Sequence, residues 1–294
     1  MRVKLVVAYD GTAYCGWQVQ PNGITVQQVL NETLSELFDQ PISVVGASRT
    51  DAGVHALGNV CAFDVDTRMP GEKIAYALNQ RLPEDIVIQE SAEVDADFHP
   101  RFSKSDKTYE YRILNRRFAD PTLRHNTYFF HHKLDVDRMQ QAANVLIGEH
   151  DFTSFASVHS QTNTFVRTIY DLTVTRDAQD IITIRVRGNG FLYNMVRIIA
   201  GTLIQIGTGL KEVEDMPRIL EGKDRELAGP TAPPEGLTLI HISYNDSRRV
   251  FLMNTRFFYL YNILRDILFV TCYSVYGCTI TINTLLCLKL TQGG

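Results

Sequence analysis

The sequence predicts an α+β fold. Short apolar runs rich in β-branched residues alternate with stretches of helical spacing, and the first half runs β-α-β-β-α-β. That order suits mostly antiparallel sheets with helices packed on one face, arranged as two ferredoxin-like halves. Residues 3–9 read as the first strand, and Val26, Val29, Leu30, Leu34, Leu37 and Phe38 mark a helix over 25–38 whose capping box is Thr25 with Gln28. Residues 42–47 and 57–65 follow as strands, 72–82 as a helix and 86–94 as a strand.

A second unit starts near Asp106, where Tyr109, Tyr111 and Ile113 alternate with Glu110 and Arg112 in a strand. Further strands are expected over 128–131, 165–175, 181–187 and 237–244, with helices over 136–147 and 191–207. The domain division that follows is 1–105, an α+β domain carrying the candidate catalytic acid, and 106–246, an α+β domain completing a cleft. Residues 247–294 are an atypical apolar tail. Within it, residues 267–288 carry no charge but are interrupted by threonine, tyrosine and asparagine. Its length allows a membrane helix and its polar interruptions argue against one, leaving an appended β-rich tail or a frame change as alternatives.

With 294 residues, 45% of them hydrophobic, the chain can bury a sizeable core. Five cysteines without metal-ligand spacing, and no secretory segment after Met1, point to a reducing, cytoplasmic setting. The net charge is -4; five cations against Asp266 make the tail +4, so the body carries -8. An acidic body argues against nonspecific coating of nucleic acid but permits a local basic cleft.

The most informative run is Gly46-Ala47-Ser48-Arg49-Thr50-Asp51-Ala52-Gly53-Val54-His55-Ala56. Polar groups leaving a strand end tend to line a site, which makes Asp51 a candidate active-site carboxylate; the competing reading is an acid that caps its own turn. Arg197 lies among Met195, Val196, Ile198 and Ile199, where an unpaired guanidinium is costly, so it needs an anion or an opening. Asn194, Arg197 and Gly201 share one helix face, with Gly201 leaving room for close approach. Tyr109 and Tyr111 share a strand face, for packing or for stacking on a nucleobase. Lys107, Arg112, Arg116, Arg117 and Arg124 form the densest basic neighbourhood of the body. No nucleotide-binding glycine loop, His-Glu-x-x-His or Gly-x-Ser-x-Gly motif is present, so neither a metal site nor a cofactor is expected.

With these residues in view, the chain resembles the tRNA pseudouridine synthase A family. The resemblance is carried by Tyr9-Asp10-Gly11-Thr12, Gly16-Trp17-Gln18, Arg49-Thr50-Asp51-Ala52-Gly53-Val54-His55, Phe98-His99-Pro100-Arg101-Phe102 and Lys107-Thr108-Tyr109-Glu110-Tyr111. It continues through His150-Asp151-Phe152, Gly190-Phe191-Leu192-Tyr193-Asn194-Met195-Val196-Arg197 and Ala232-Pro233-Pro234-Glu235-Gly236-Leu237. It implies a pseudouridine-synthase core with a central catalytic cleft and isomerisation of uridine in the anticodon stem-loop of tRNA, without cofactor or metal. It also implies a homodimer holding one tRNA. Asp51 would be the nucleophile, Arg197 its partner, Tyr109 the ring stacked on uracil, Leu237 an apolar wall, and Arg49 and His55 the side chains filling the vacated stack. A noncatalytic tRNA-binding or remodelling protein would use the same cleft without needing Asp51. Ser48 stands where the family usually has glycine, and the chain from Ser247 onward departs from the family's usual ending.

Overall fold

The computed structural model describes residues 1–157, 162 and 164–244. The expectations for residues 247–294 lie outside the described residues. Among the described residues no helix is long and apolar enough to cross a membrane.

Strand β1 (Arg2–Tyr9) buries alternate side chains, Val3, Leu5, Val7 and Tyr9, as a period of two requires. Helix α1 (Val26–Phe38) buries Val26, Leu30 and Leu34. Thr25 caps it by accepting from the Gln28 amide. Only half of the expected capping box forms, because the Gln28 side chain turns outward to Glu32, one turn along. The chain continues through β2 (Val45–Gly46), β3 (His55–Asp64), α2 (Ile74–Asn79) and β4 (Ile86–Val94). Then come β5 (Ser105–Leu114), β6 (Tyr128–Phe129), α3 (Val136–Asn144), β7 (Gly148–Asp151), β8 (Val166–Arg176) and β9 (Ile181–Gly188). Helices α4 (Met195–Thr208) and α5 (Asp215–Gly222) and strand β10 (Leu237–Tyr244) complete the described elements.

The ten strands among the described residues join one sheet in the order β4-β1-β3-β10-β5-β9-β8-β7, with β2 on β3 and β6 on β5. With the short strands β6 and β7 set aside and each half numbered from its own start, the two share one strand order: β4-β1-β3-β2 in the first and β10-β5-β9-β8 in the second. The α+β fold class with a mostly antiparallel sheet is therefore the observed one. The halves meet along a short parallel pairing of Thr238 with His55 and Leu239 with Ala56. This junction lies immediately after Asp51, so closing the sheet brings the start of β10 to the acid's loop. Residues 1–245 form one compact unit.

The core is one continuous apolar cluster drawn from both halves. Cross-strand neighbours Tyr109 and Val186, Tyr111 and Ile184, and Ile113 and Ile182 share its face of the sheet. On the opposite face Glu110 pairs with Arg185 and Asp106 with Arg187.

Several boundaries differ from the sequence reading, for local reasons. The strand expected over 42–47 shrinks to Val45–Gly46 because helix α1 takes its backbone partners: Ile42 N bonds Ser35 Oγ at 2.9 Å and Val44 N bonds Asn31 Oδ1 at 2.8 Å. The helix expected from Glu72 begins as a single 3-10 turn, Gly71–Lys73, and is α-helical only over Ile74–Asn79. Helix α4 begins at Met195 rather than Phe191 because Asn194 is left-handed, φ 62°, and interrupts the helix just before it. Strand β7 and helix α5 are short and were not legible as apolar runs.

Leu34 is fully buried between helix and sheet. Leu34→Ala is expected to lower unfolding free energy by about 2–5 kcal/mol, through lost transfer energy and the cavity left behind, as read from urea denaturation.

Candidate active site

The loop between β2 and β3 is held from beneath by residues distant in sequence. Trp17 N donates to Thr50 O at 3.0 Å, Ala47 N to Val60 O at 2.8 Å and Gly53 N to Tyr14 O at 3.3 Å. Gly16, at φ +84°, lies so close to Thr50 O that a Cβ there would meet it at 2.6 Å. The Tyr9 hydroxyl bonds Thr50 Oγ1 at 2.7 Å, and Asn59, fully buried, donates to both the Tyr9 hydroxyl and Ser48 O. Arg49 is thus bracketed by two fixed neighbours, with its own side chain left at the cleft.

Asp51 does not cap its turn. Among the described residues, the hydrogen bond to its carboxylate comes from Arg197 Nη1, at 3.1 Å to Oδ2. Arg197 is equally well held: Nε donates to Ala232 O at 2.7 Å and Nη1 also to Asn194 Oδ1 at 3.1 Å. Gly201 explains the approach, since a Cβ at this position would meet Pro230 O at 1.9 Å. The room it provides admits the Pro230–Ala232 backbone rather than Asp51 itself. Burial raises the Asp51 carboxyl above its ordinary value, and the Arg197 cation and hydrogen bond pull it back only partly.

The cleft around this pair has a volume of about 410 Å3 and is lined by Ser48, Arg49, Val54, Tyr109, Phe191 and Leu237 among others. This is the size of a pocket for a small molecule or a single nucleotide. Tyr109 is fixed twice: its ring meets Phe191 in a T-shaped contact at 5.2 Å, and its hydroxyl bonds Ser48 Oγ at 2.7 Å. Burial pushes its phenol up to about 12, so the ring stays neutral at physiological pH. Tyr111 instead goes into the core and donates to Pro233 O at 2.9 Å, supporting the turn before Leu237. Ser48 is not among the positive-φ residues, so its backbone needs no glycine, and its hydroxyl gains a partner.

Of the site residues expected from sequence, Arg49, Asp51, Tyr109, Arg197 and Leu237 meet in this cleft. His55 does not: its side chain is 8% exposed, Nδ1 lies 3.1 Å from Gly11 N and 3.2 Å from Asp10, and it does not line the cleft. A ring held there is not placed to fill a gap in an RNA stack. The basic cluster is also divided. Lys107 reaches the cleft, whereas Arg116 pairs with Asp120 and Arg124 bonds Pro121 O. Arg101 and Arg167 join the cleft instead; neither was singled out from the sequence, because each comes from a separate segment and no local pattern links them.

The fold and this cleft acquire a class from comparison with known proteins. A family model described as tRNA pseudouridine synthase matches residues 5–103 and 142–245, and the chain belongs to that family. The tRNA pseudouridine synthase A of Acetivibrio thermocellus is 48% identical over 242 residues, covering 82% of this chain and 99% of the relative. Its counterpart in Thermoanaerobacter pseudethanolicus is 47% identical with the same coverage, and that of Limosilactobacillus fermentum is 44% identical over 83% of this chain and 96% of the relative.

Ser48→Ala removes the hydroxyl partner of Tyr109 without changing the backbone required. Turnover on tRNA is expected to fall by roughly three- to tenfold, on the order of one neutral hydrogen bond, with little change in melting temperature. In a Tyr109→Phe background the same change should have no further effect.

Proposed function

We propose that this cleft converts uridine to pseudouridine in the anticodon stem-loop of tRNA, at about positions 38 to 40, with Asp51 as the nucleophile. Family membership makes the chain an isomerase acting on tRNA uridines. The observation that carries the finer reading is the one-sided bonding of Asp51. Arg197 holds Oδ2, while Oδ1 has no hydrogen-bond partner among the described residues and is left for substrate.

In this reading the target nucleotide leaves its stack, at a cost of roughly a few kcal/mol, and enters the cleft. Arg49, held out from a fixed backbone, fills the vacated space. Tyr109 stacks on the uracil and Leu237 with Val54 forms the apolar wall beside it. Asp51 attacks the nucleotide, at the ribose or the ring, and the bond between ribose C1′ and uracil N1 breaks. The freed base rotates and a new bond joins C1′ to C5; the bond between Asp51 and the nucleotide breaks, returning the carboxylate, the C5 proton leaves, and N1 ends protonated. Substrate and product are isomers, so the cycle balances without an oxidant or reductant. Arg197 anchors the acid throughout and offsets part of the cost of burying its charge. Completing the reading, two copies of the chain hold one tRNA in the cytoplasm.

A noncatalytic tRNA-binding protein would bind tRNA independently of Asp51 and form no pseudouridine. Asp51→Asn is expected to leave tRNA affinity within about threefold while pseudouridine formation drops by on the order of 10⁴-fold or more, measured by mapping pseudouridine in purified tRNA. Undiminished turnover would overturn the assignment. The acid must be ionised to attack, and its carboxyl is held above the ordinary 3.8. The acid limb of kcat/KM should therefore fall above that value, with activity lost as pH drops through it. A limb at or below 3.8 would show that another group is being titrated.

A further inference from the structure

The backbone at Asn194 is left-handed, with φ 62° and ψ 5°, a conformation that glycine adopts freely and other residues enter at a cost. Strain of this kind beside a reaction centre points to a use for the side chain. That use is not capping. Asn194 stands at the N-cap of α4, yet its side chain accepts from none of the helix amides, the ordinary role of asparagine at that position.

The carboxamide is spent on Arg197 instead. Arg197 Nη1 donates to Asn194 Oδ1 at 3.1 Å and to Asp51 Oδ2 at 3.1 Å. A guanidinium offers donors only, so the atom facing it must be the amide oxygen, and the Nδ2 group must face elsewhere. Charge thus sets the orientation of the amide. Among the described residues no acceptor takes its hydrogens, and Asn194 is half-buried in the wall of the cleft that Asp51 and Tyr109 also line. A donor is held beside the acid, unused by the protein.

Isomerisation of uridine creates an acceptor for it. When the bond between C1′ and N1 breaks, its electron pair stays with the base, and the negative charge spreads over N1, O2 and O4. A donor aimed at one of those oxygens does little for neutral uracil and much for the departing base, so it lowers the barrier rather than tightening binding. Helix α4 begins at the same wall, and its positive end acts in the same sense. The symmetry of the ring suits a single fixed donor. A half-turn about the line through N3 and C6 exchanges N1 with C5 and O2 with O4. An amide that meets O2 while the first bond breaks therefore meets O4 while the second forms, without moving.

We infer that Asn194 is a catalytic residue whose Nδ2 donates to a uracil carbonyl oxygen, first O2 and then O4, and stabilises the charge on the base between the two bonds. This rests on the reading that uridine is isomerised in this cleft. It divides one carboxamide between two roles: the oxygen positions Arg197 and the nitrogen acts on the substrate.

The test measures pseudouridine formation in a synthetic anticodon stem-loop RNA by the full chain and two variants, at a pH above the acid limb. Asn194→Gly removes the amide and suits the left-handed backbone, so folding is retained. Asn194→Asp keeps an oxygen for Arg197 and removes the donor. Both should lower kcat by on the order of 100-fold while KM stays within about threefold. A side chain that only positioned Arg197 would leave the aspartate variant active. RNAs with 2-thiouridine or 4-thiouridine at the target, sulfur being the weaker acceptor, then complete a cycle. In at least one of them the fold-change in kcat caused by sulfur should differ by about fivefold or more between the unaltered chain and Asn194→Gly. Equal sulfur effects in both chains for both RNAs, or a kcat within about threefold of the unaltered chain for either variant, would overturn the role. Product formation by the unaltered chain, and its loss in Asp51→Asn, are measured alongside. Where both hold, such a result removes only the role of Asn194; no product from the unaltered chain, or product without the acid, would remove the reading of the cleft beneath it.

Discussion

A guanidinium inside an apolar helix is tolerated only where its donors find acceptors, and Arg197 sets that condition for the whole active centre. Its partners come from three places: Asp51 in the β2–β3 loop, Asn194 at the start of α4, and the carbonyl of Ala232 in the segment leading to β10. Holding them together requires Gly201 to lack a side chain, so that the Pro230 carbonyl can press against α4. Buried ion pairs contribute little net stability, because desolvation cancels much of their attraction. This one acts instead on reactivity. It keeps a carboxylate in place inside a cleft where burial alone would drive it further toward the neutral acid.

The sheet serves the same end. Two halves with the same strand order could have folded as separate sheets, yet β10 inserts between β3 and β5 and makes them one. Its parallel pairing with β3 covers only His55 and Ala56, the first residues after the acid's turn. The C-terminal half is thereby registered against the loop that carries Asp51, and Leu237, the first residue of β10, arrives at the cleft wall. A shift of one residue in that pairing would turn Leu237 to the opposite face.

Much of the candidate site was legible because chemistry and spacing are local. Asp51 follows an apolar run and precedes a glycine, Arg197 stands out among aliphatic neighbours, and alternation puts Tyr109 and Tyr111 on one face. Other parts were not legible, since their partners are remote. Ser48 looked like a possible backbone liability, but its hydroxyl meets Tyr109, 61 residues away. His55 sits in the same motif as Asp51, yet the start of β3 turns its ring toward Gly11 and away from the cleft. Arg167 carries no local signal, Arg101 lies in a run that resembles the family but nothing there marks it for the cleft, and Tyr111, indistinguishable from Tyr109 by alternation, goes to the core.

By itself the sequence determined the α+β class, most strands and helices, the acid and its expected cation, because hydrophobic period, caps and the cost of a buried charge are written into short stretches of chain. Only the tertiary structure decided that the halves share one sheet, which cations enter the cleft, and that Tyr111 turns to Pro233. Those outcomes depend on strand register and on close backbone approach at Gly16 and Gly201, where contacts between distant segments outweigh any local preference.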